Sequence, residues 1–285
     1  MSDVKTIGVI GSGQMGGGIA QVAAAAGFRT LVTDADAAAL ERCRKGHASR
    51  LAREVEKGRL ADAAPVLARL AYVEGPEALA GADVIVEAIV EDARVKRDLF
   101  ARLAARFPSA ILATNTSSIS ITEIAAAAGP GAGRVIGMHF FNPVPVMKLV
   151  EVIRGLQTSP ETTERTIALA RAMGKTPVPA NDRAGFVSNR VLMPMINEAF
   201  RAWMEGVAEP EAIDEIMRLG CNHPMGPLRL ADFIGLDTCV HIMDVLADGL
   251  NDDRYRACPL LRQLVAAGRL GDKSGRGVFD HAKGT

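Results

Sequence analysis

Two polar residues stand in apolar company, and together they could move a proton. His139 closes the run Val-Ile-Gly-Met-His at 135–139 and precedes Phe140 and Phe141, while Glu151 lies inside Leu-Val-Glu-Val-Ile at 149–153. A carboxylate is costly to bury unless it is paired, and an imidazole that titrates near neutral pH is a suitable partner. Pro143 and Pro145 break the intervening chain and turn it, which lets the acid return to the ring. An imidazole steadied by a carboxylate is a general acid–base unit. A histidine beside aromatics is also, and more commonly, a satisfied core residue.

Two further polar residues are candidates by position. Ser117, in Asn-Thr-Ser-Ser at 115–118, follows an apolar run; it could equally cap a helix. Asn189 lies early in the apolar segment after Gly185, where an amide must use both donor and acceptor, and a buried structural amide is the alternative.

A second constellation is built from glycine. Gly11, Gly13 and Gly16 form G-x-G-x-x-G directly after an apolar strand and at the mouth of an alanine-rich helix. The first glycine allows the tight turn, the second admits a pyrophosphate to the backbone, and the third lets helix approach strand. The helix N-terminus then faces the phosphate charge. Asp34 ends the next strand, where a carboxylate accepts hydrogen bonds from ribose hydroxyls and repels a 2′-phosphate, so NAD is favoured over NADP. FAD uses the same fingerprint, and a bare glycine turn with a solvated aspartate is the remaining alternative.

These residues need a frame that brings strand ends together. Apolar runs at 4–10, 29–34, 70–73, 83–88, 110–114, 135–139 and 148–153, with a short one near Pro177, alternate with helical stretches such as 93–107 and 160–173. Continuous apolar strands instead of period-two ones indicate a mostly parallel sheet covered on both faces: an α/β, Rossmann-like, doubly wound domain. In such sheets ligands bind at the carboxyl ends of the strands, where Ser117 and His139 fall. The stretch between Asp34 and Leu70 exceeds one crossover helix and predicts an inserted helical hairpin. After Gly185 the pattern becomes helical, with 186–203 apolar on most sides and further helices at 211–219 and 237–250. The expected division is 1–184, the dinucleotide-binding domain, and 185–285, a smaller all-α C-terminal domain.

Composition narrows the partners. The chain has 285 residues, 48% hydrophobic and 23% charged, enough for a sizeable core, and its 33 basic residues cancel 33 acidic ones. With no basic run, neither a nucleic acid nor a membrane surface is an expected partner, and a small molecule is. Residues 6–28 carry no charge, but seven glycines within them suit a packed strand, turn and helix better than a membrane span. Cys43, Cys221, Cys239 and Cys258 are far apart with no C-x-x-C pair, so no metal site is signalled and free thiols in a reducing cytoplasm are expected.

The strings Gly-Ser-Gly-Gln-Met-Gly-Gly-Gly-Ile-Ala (11–20), Asn-Thr-Ser-Ser (115–118), His-Phe-Phe-Asn-Pro-Val-Pro-Val-Met-Lys-Leu-Val-Glu (139–151) and Pro-Met-Gly-Pro (224–227) resemble the short-chain L-3-hydroxyacyl-CoA dehydrogenases. The resemblance spans essentially the whole chain, and the block around His139 is far more specific than the glycine turn. It implies NAD-dependent interconversion of an (S)-3-hydroxyacyl-CoA, of short chain such as 3-hydroxybutyryl-CoA, and the 3-oxoacyl-CoA. His139 is then the catalytic base and Glu151 its partner, with Ser117 and Asn189 around the substrate oxygen and the histidine. Gln14 and Met15 join Gly11, Gly13, Gly16 and Asp34 at the cofactor, Asn115 lies on the nicotinamide side, and Glu91 and Lys96 meet the cofactor ribose. Glu91 and Lys96 could otherwise be charges at a helix start. Arg53 and Lys57, one helical turn apart in the basic insertion, match the basic contacts to CoA phosphates, a solvated charged face being the alternative. A homodimer is implied, with the C-terminal domain forming the substrate cleft and dimer contact. Two rivals stand beside this reading: a related dehydrogenase of a free hydroxy acid, gulonate- or carnitine-like, and a non-catalytic, crystallin-like dinucleotide-binding protein.

Overall fold

Apolar strands and helices alternate through the first part of the chain as the pattern predicts. The computed structural model describes residues 4–281 and divides into two units, one running to Asp182 and the other beginning at Arg183. The first unit runs β1 (Thr6–Ile10), α1 (Gln14–Ala25), β2 (Arg29–Thr33), α2 (Ala37–Glu56), α3 (Ala64–Leu67), β3 (Leu70–Tyr72), β4 (Val84–Glu87), α4 (Ala93–Arg106), β5 (Ile111–Thr114), α5 (Ile121–Ala127), β6 (Val135–Phe140), β7 (Leu149–Arg154), α6 (Pro160–Ala172) and β8 (Thr176–Asn181). The sheet has eight strands in the order β3-β2-β1-β4-β5-β6-β7-β8. Strand order reverses between β1 and β4, the switch point at which doubly wound sheets open a ligand crevice.

β4 and β5 are buried along their whole length, which is why their sequences are continuously apolar up to the last residue. Val9, Ile19, Val32, Val86, Ala113 and Met138 meet in one core between sheet and helices. Every neighbouring pair is parallel except β6 and β7, which run antiparallel with His139 opposite Glu151.

The insertion contains two very unequal helices. α2 has 20 residues and α3 only 4. α2 starts on an Asp36 cap and ends where Gly58 takes a positive φ of 66°, a conformation that stops a helix. Its stripe Leu40, Cys43, His47 and Leu51 is buried. His47 hydrogen-bonds the Gly17 carbonyl of α1 at 2.7 Å, and Arg50 donates to Gln21 of α1 at 2.9 Å. Those contacts seat the insertion on α1.

The second unit is helical: α7 (Ser188–Met204), α8 (Pro210–Gly220), α9 (Pro227–Ile234), α10 (Leu236–Leu250) and α11 (Pro259–Ala266). Met193, Phe200, Leu228, Leu236, Met243, Leu246 and Leu261 form its core. Proline begins α8, α9 and α11, where its missing N–H removes no helical bond. Asp214 caps α9 by accepting the Leu228 and Arg229 N–H groups at 2.8 Å each. α7 is less uniformly buried than its composition suggests, because Val191 is 67% exposed while Met193, Ile196 and Phe200 are buried. Among the described residues no helix is long and apolar enough to cross a membrane.

Candidate active site

The antiparallel register sets the central pair. Residues opposite each other in neighbouring strands project from the same face of a sheet, so β6 and β7 deliver His139 and Glu151 side by side. His139 Nδ1 lies 2.8 Å from Glu151 Oε2, with the two residues 7% and 4% exposed. A carboxylate only accepts, so Nδ1 carries the proton and the Nε2 atom of the neutral ring holds the lone pair. The Phe141 ring lies 4.7 Å from the imidazole, centroid to centroid. The connector between the strands is held from below: Lys175 Nζ donates to the carbonyls of Val144 and Met147 at 2.5 and 2.8 Å. Burial among these groups pushes the Lys175 ammonium below its ordinary pKa.

The glycine turn occupies the switch point. Gly11 has φ 98°, and a Cβ there would meet the Ala88 carbonyl oxygen at 2.4 Å; one at Gly16 would meet the Gly11 oxygen at 1.8 Å. Nothing lies within 4 Å of the corresponding position at Gly13, so the turn is open at the point where a pyrophosphate approaches. Gly13 begins α1 without any side-chain cap, which leaves the first N–H groups of that helix for an anion. Gln14 donates to Asn142 Oδ1 at 2.9 Å, and Met15 packs on the core of the unit.

Asp34 follows β2. Its Oδ2 accepts the Ser12 N–H at 2.6 Å and hydroxyl at 2.7 Å, and its Oδ1 accepts the Asp36 N–H at 3.0 Å. Burial alone would raise its pKa, but these donors hold the carboxyl below the usual range, charged at neutral pH. The acceptor set, the open turn and the uncapped helix are those a dinucleotide with an unmodified ribose requires.

The loop after β5 carries Asn115 and Ser117. Asn115 Oδ1 accepts the Phe140 N–H at 2.9 Å, which ties this loop to the residue following His139. Ser117 donates through N–H and hydroxyl to Glu91 Oε1, at 2.9 and 3.3 Å, and Thr116 and Ser118 donate to the same oxygen. Burial of Glu91 is more than offset by the Lys96 ammonium and these donors, so its pKa lies below the ordinary value. Lys96, expected as a ribose contact or as a charge at a helix start, is buried. Its side chain is 1% exposed, with Nζ 2.5 Å from Glu87 and 3.4 Å from Glu91. The ammonium is therefore paired inside the protein, where it also holds Glu91.

The structure thus gathers Gly11, Gly13, Gly16, Asp34, Glu91, Asn115, Ser117, His139 and Glu151 along the carboxyl ends of β1, β2, β4, β5 and β6 and the facing part of β7. Arg53 and Lys57 stand apart and exposed at the end of α2, where the Lys57 N–H still bonds the Arg53 carbonyl at 3.0 Å. Asn189, in the other unit, is buried in the first turn of α7. Sequence reasoning passed over Glu87, which is fully buried. The available signal was a carboxylate ending a buried strand, a position that demands a partner.

Comparison with known proteins agrees along the whole chain. Residues 6–183 match the family model for the 3-hydroxyacyl-CoA dehydrogenase NAD binding domain, and residues 185–281 match that for the C-terminal domain. The chain is 57% identical to a probable 3-hydroxybutyryl-CoA dehydrogenase of Deinococcus radiodurans, over 96% of this chain and 99% of that one. It is 56% identical to a probable 3-hydroxybutyryl-CoA dehydrogenase of Bacillus subtilis, over 99% of each. The crystal structure of (S)-3-hydroxybutyryl-CoA dehydrogenase from Ralstonia eutropha superposes with a TM-score of 0.95 at 47% identity, covering 99% of this chain and 100% of that one.

Proposed function

The chain belongs to the 3-hydroxyacyl-CoA dehydrogenase family, NAD-dependent oxidoreductases, and from that premise we propose that it interconverts (S)-3-hydroxybutyryl-CoA and acetoacetyl-CoA. The observation that carries the mechanism is the hydrogen bond from His139 to Glu151 at the carboxyl end of the sheet. In the oxidative direction His139 Nε2 accepts the proton of the 3-hydroxyl, and Glu151 stabilises the imidazolium that results. Bound NAD supplies the acceptor for the hydride that leaves C3. In reduction the imidazolium returns the proton to the oxygen.

Other roles follow from placement and resemblance. Gly11, Gly13, Gln14, Met15 and Gly16 cradle the pyrophosphate, and Asp34 accepts the adenosine ribose hydroxyls. Asn115, its Oδ1 engaged by Phe140, keeps its NH2 for the nicotinamide side, and Glu91 is the ribose acceptor that Lys96 supports. Ser117 is assigned to the substrate oxygen on the family resemblance; its hydroxyl, which donates to Glu91 here, would turn from that carboxylate to donate to the substrate. For Asn189 the assignment to the substrate rests on the family resemblance alone. Arg53 and Lys57, both exposed at the end of α2, are the basic groups offered to the CoA phosphates. The enzyme is read as a cytoplasmic homodimer whose helical second unit carries the subunit contact, a reading supported by the exposed apolar residues Ile216 and Leu219 of α8.

The test is NADH oxidation followed by absorbance with 3-oxoacyl-CoA substrates of C4, C8 and C16 chains and with free acetoacetate. The expected result is fastest turnover at C4 and a large preference for the CoA thioester. Equal rates with free acetoacetate overturn the acyl-CoA assignment.

A further inference from the structure

Glu87 has no exposed side-chain surface, yet neither the proton transfer nor the cofactor turn calls on it. A carboxylate buried to that extent persists only if its lone pairs and charge are compensated. Oε1 accepts Lys96 Nζ at 2.5 Å and the Ile89 N–H at 2.7 Å, and Oε2 accepts the Thr114 hydroxyl at 2.6 Å.

The compensation continues as a closed path. Thr114 has a single hydroxyl proton, committed to Glu87, so its oxygen is turned to accept the Thr116 N–H at 3.2 Å. The Thr116 hydroxyl donates to Glu91 Oε1 at 2.6 Å while its oxygen accepts the N–H groups of Ser118 and Ile119 at 3.3 and 2.9 Å. The other Glu91 oxygen faces Lys96 Nζ at 3.4 Å, and Lys96 leads back to Glu87. Asn115 sits between the two threonines. Its N–H bonds the Glu87 carbonyl at 2.8 Å, and its side-chain oxygen holds the Phe140 N–H next to His139.

We propose that Glu87, Lys96, Thr114 and Thr116 are positioning residues: with Glu91 they close a buried ring that fixes loop 115–118 and, through Asn115, the strand end carrying His139. The ring's direction is set by charge. Glu87 draws the Thr114 proton and Glu91 that of Thr116, so each threonine oxygen is left to accept the backbone N–H groups that follow it. Reaction geometry is sensitive to such order, because a displacement of about 1 Å costs up to about a hundred-fold in rate.

This inference rests on the acyl-CoA dehydrogenase reading for its kinetic readout. The decisive variant is Thr114→Val, which keeps the side-chain shape and removes both hydrogen bonds, with Thr114→Ser as the conservative rescue. In the full-length enzyme with saturating NADH and acetoacetyl-CoA, Thr114→Val lowers kcat about ten- to a hundred-fold, with KM for NADH within about three-fold, and Thr114→Ser restores kcat to within about three-fold. Thr116→Val and Thr116→Ser repeat the test at the next link should Thr114→Val not fold. Wild-type kcat in the valine variants, or serine variants as slow as the valine ones, overturns the ring. Amide hydrogen exchange at residues 115–119 is read alongside, and is expected to be about ten-fold faster or more in the valine variants. A wild-type enzyme inactive on every acyl-CoA sinks the substrate reading instead; the ring then stands or falls on whether that exchange accelerates.

Discussion

Two buried histidines in the same unit have opposite surroundings. His47, on α2, places Nε2 2.7 Å from the Gly17 carbonyl and Nδ1 2.6 Å from the Tyr72 hydroxyl. A carbonyl only accepts, so Nε2 carries the proton and Nδ1 accepts from tyrosine, whose own pKa burial pushes up to about 12. Burial, helped by the nearby Arg50 charge, holds His47 below its ordinary pKa, and both nitrogens are spent on uncharged partners. His139 meets the Glu151 carboxylate through Nδ1 instead. Residue type and burial are nearly the same in the two places. In the proposed mechanism it is the partner that separates a ring that clamps two helices from one that does chemistry.

That contrast can be broken by substitution. His139→Gln is expected to lower kcat by about two to four orders of magnitude with NADH affinity, measured by fluorescence titration, retained; near-normal turnover removes the histidine from the mechanism. Glu151→Gln keeps an acceptor for Nδ1 but loses the charge that steadies the imidazolium, and should cost about ten- to a hundred-fold in kcat. His47→Leu should do the reverse: turnover of the folded enzyme within about two-fold, with denaturant unfolding showing a loss of about 1–3 kcal/mol from the unsatisfied Gly17 carbonyl and Tyr72 hydroxyl. A large fall in kcat there would erase the distinction. Tyr72→Phe, which removes one neutral hydrogen bond, should lower stability by only about 1 kcal/mol.

Acid titration sharpens the contrast further. A histidine depressed in the folded state is neutral there and binds its proton more readily unfolded, so its contribution to stability is complete above the unfolded value of 6.5. It declines as pH falls below that value towards the folded one. Unfolding free energy measured from pH 7.5 downward should therefore drop below about pH 6.5 in the wild type and drop less in His47→Leu. Parallel curves for the two proteins would show that His47 takes up its proton without penalty.

The doubly wound sheet was legible because each buried parallel strand is a short unbroken apolar run with a helix after it. The direction of β7 was not, since pairing polarity depends on which strands become neighbours; the prolines at 143 and 145 announced a return but not its alignment. α9 and α11 are short helices that a period-seeking eye passes over, although the prolines at 227 and 259 mark their starts. In the site, the glycines and Asp34 were readable because dinucleotide chemistry prescribes their spacing, and His139 and Glu151 because charge in apolar runs is conspicuous. Glu87 lies inside the expected strand 83–88, which reads as apolar between its ends, and so it was passed over. His47 was hidden among the arginines and lysines of the insertion, though Leu40, Cys43, His47 and Leu51 already trace a helical stripe that places it inward.

The alignment of β6 with β7 has a consequence for how this molecule can be altered. Because ladder bonds fix which residue lies across from which, the proton-transfer couple inherits its spacing from the main chain and owes little to the connector at 141–148. Lengthening that connector is a permissive edit. Adding one residue within 150–152 is not, since it would turn the acid to the sheet's far side and leave the imidazole facing an aliphatic neighbour.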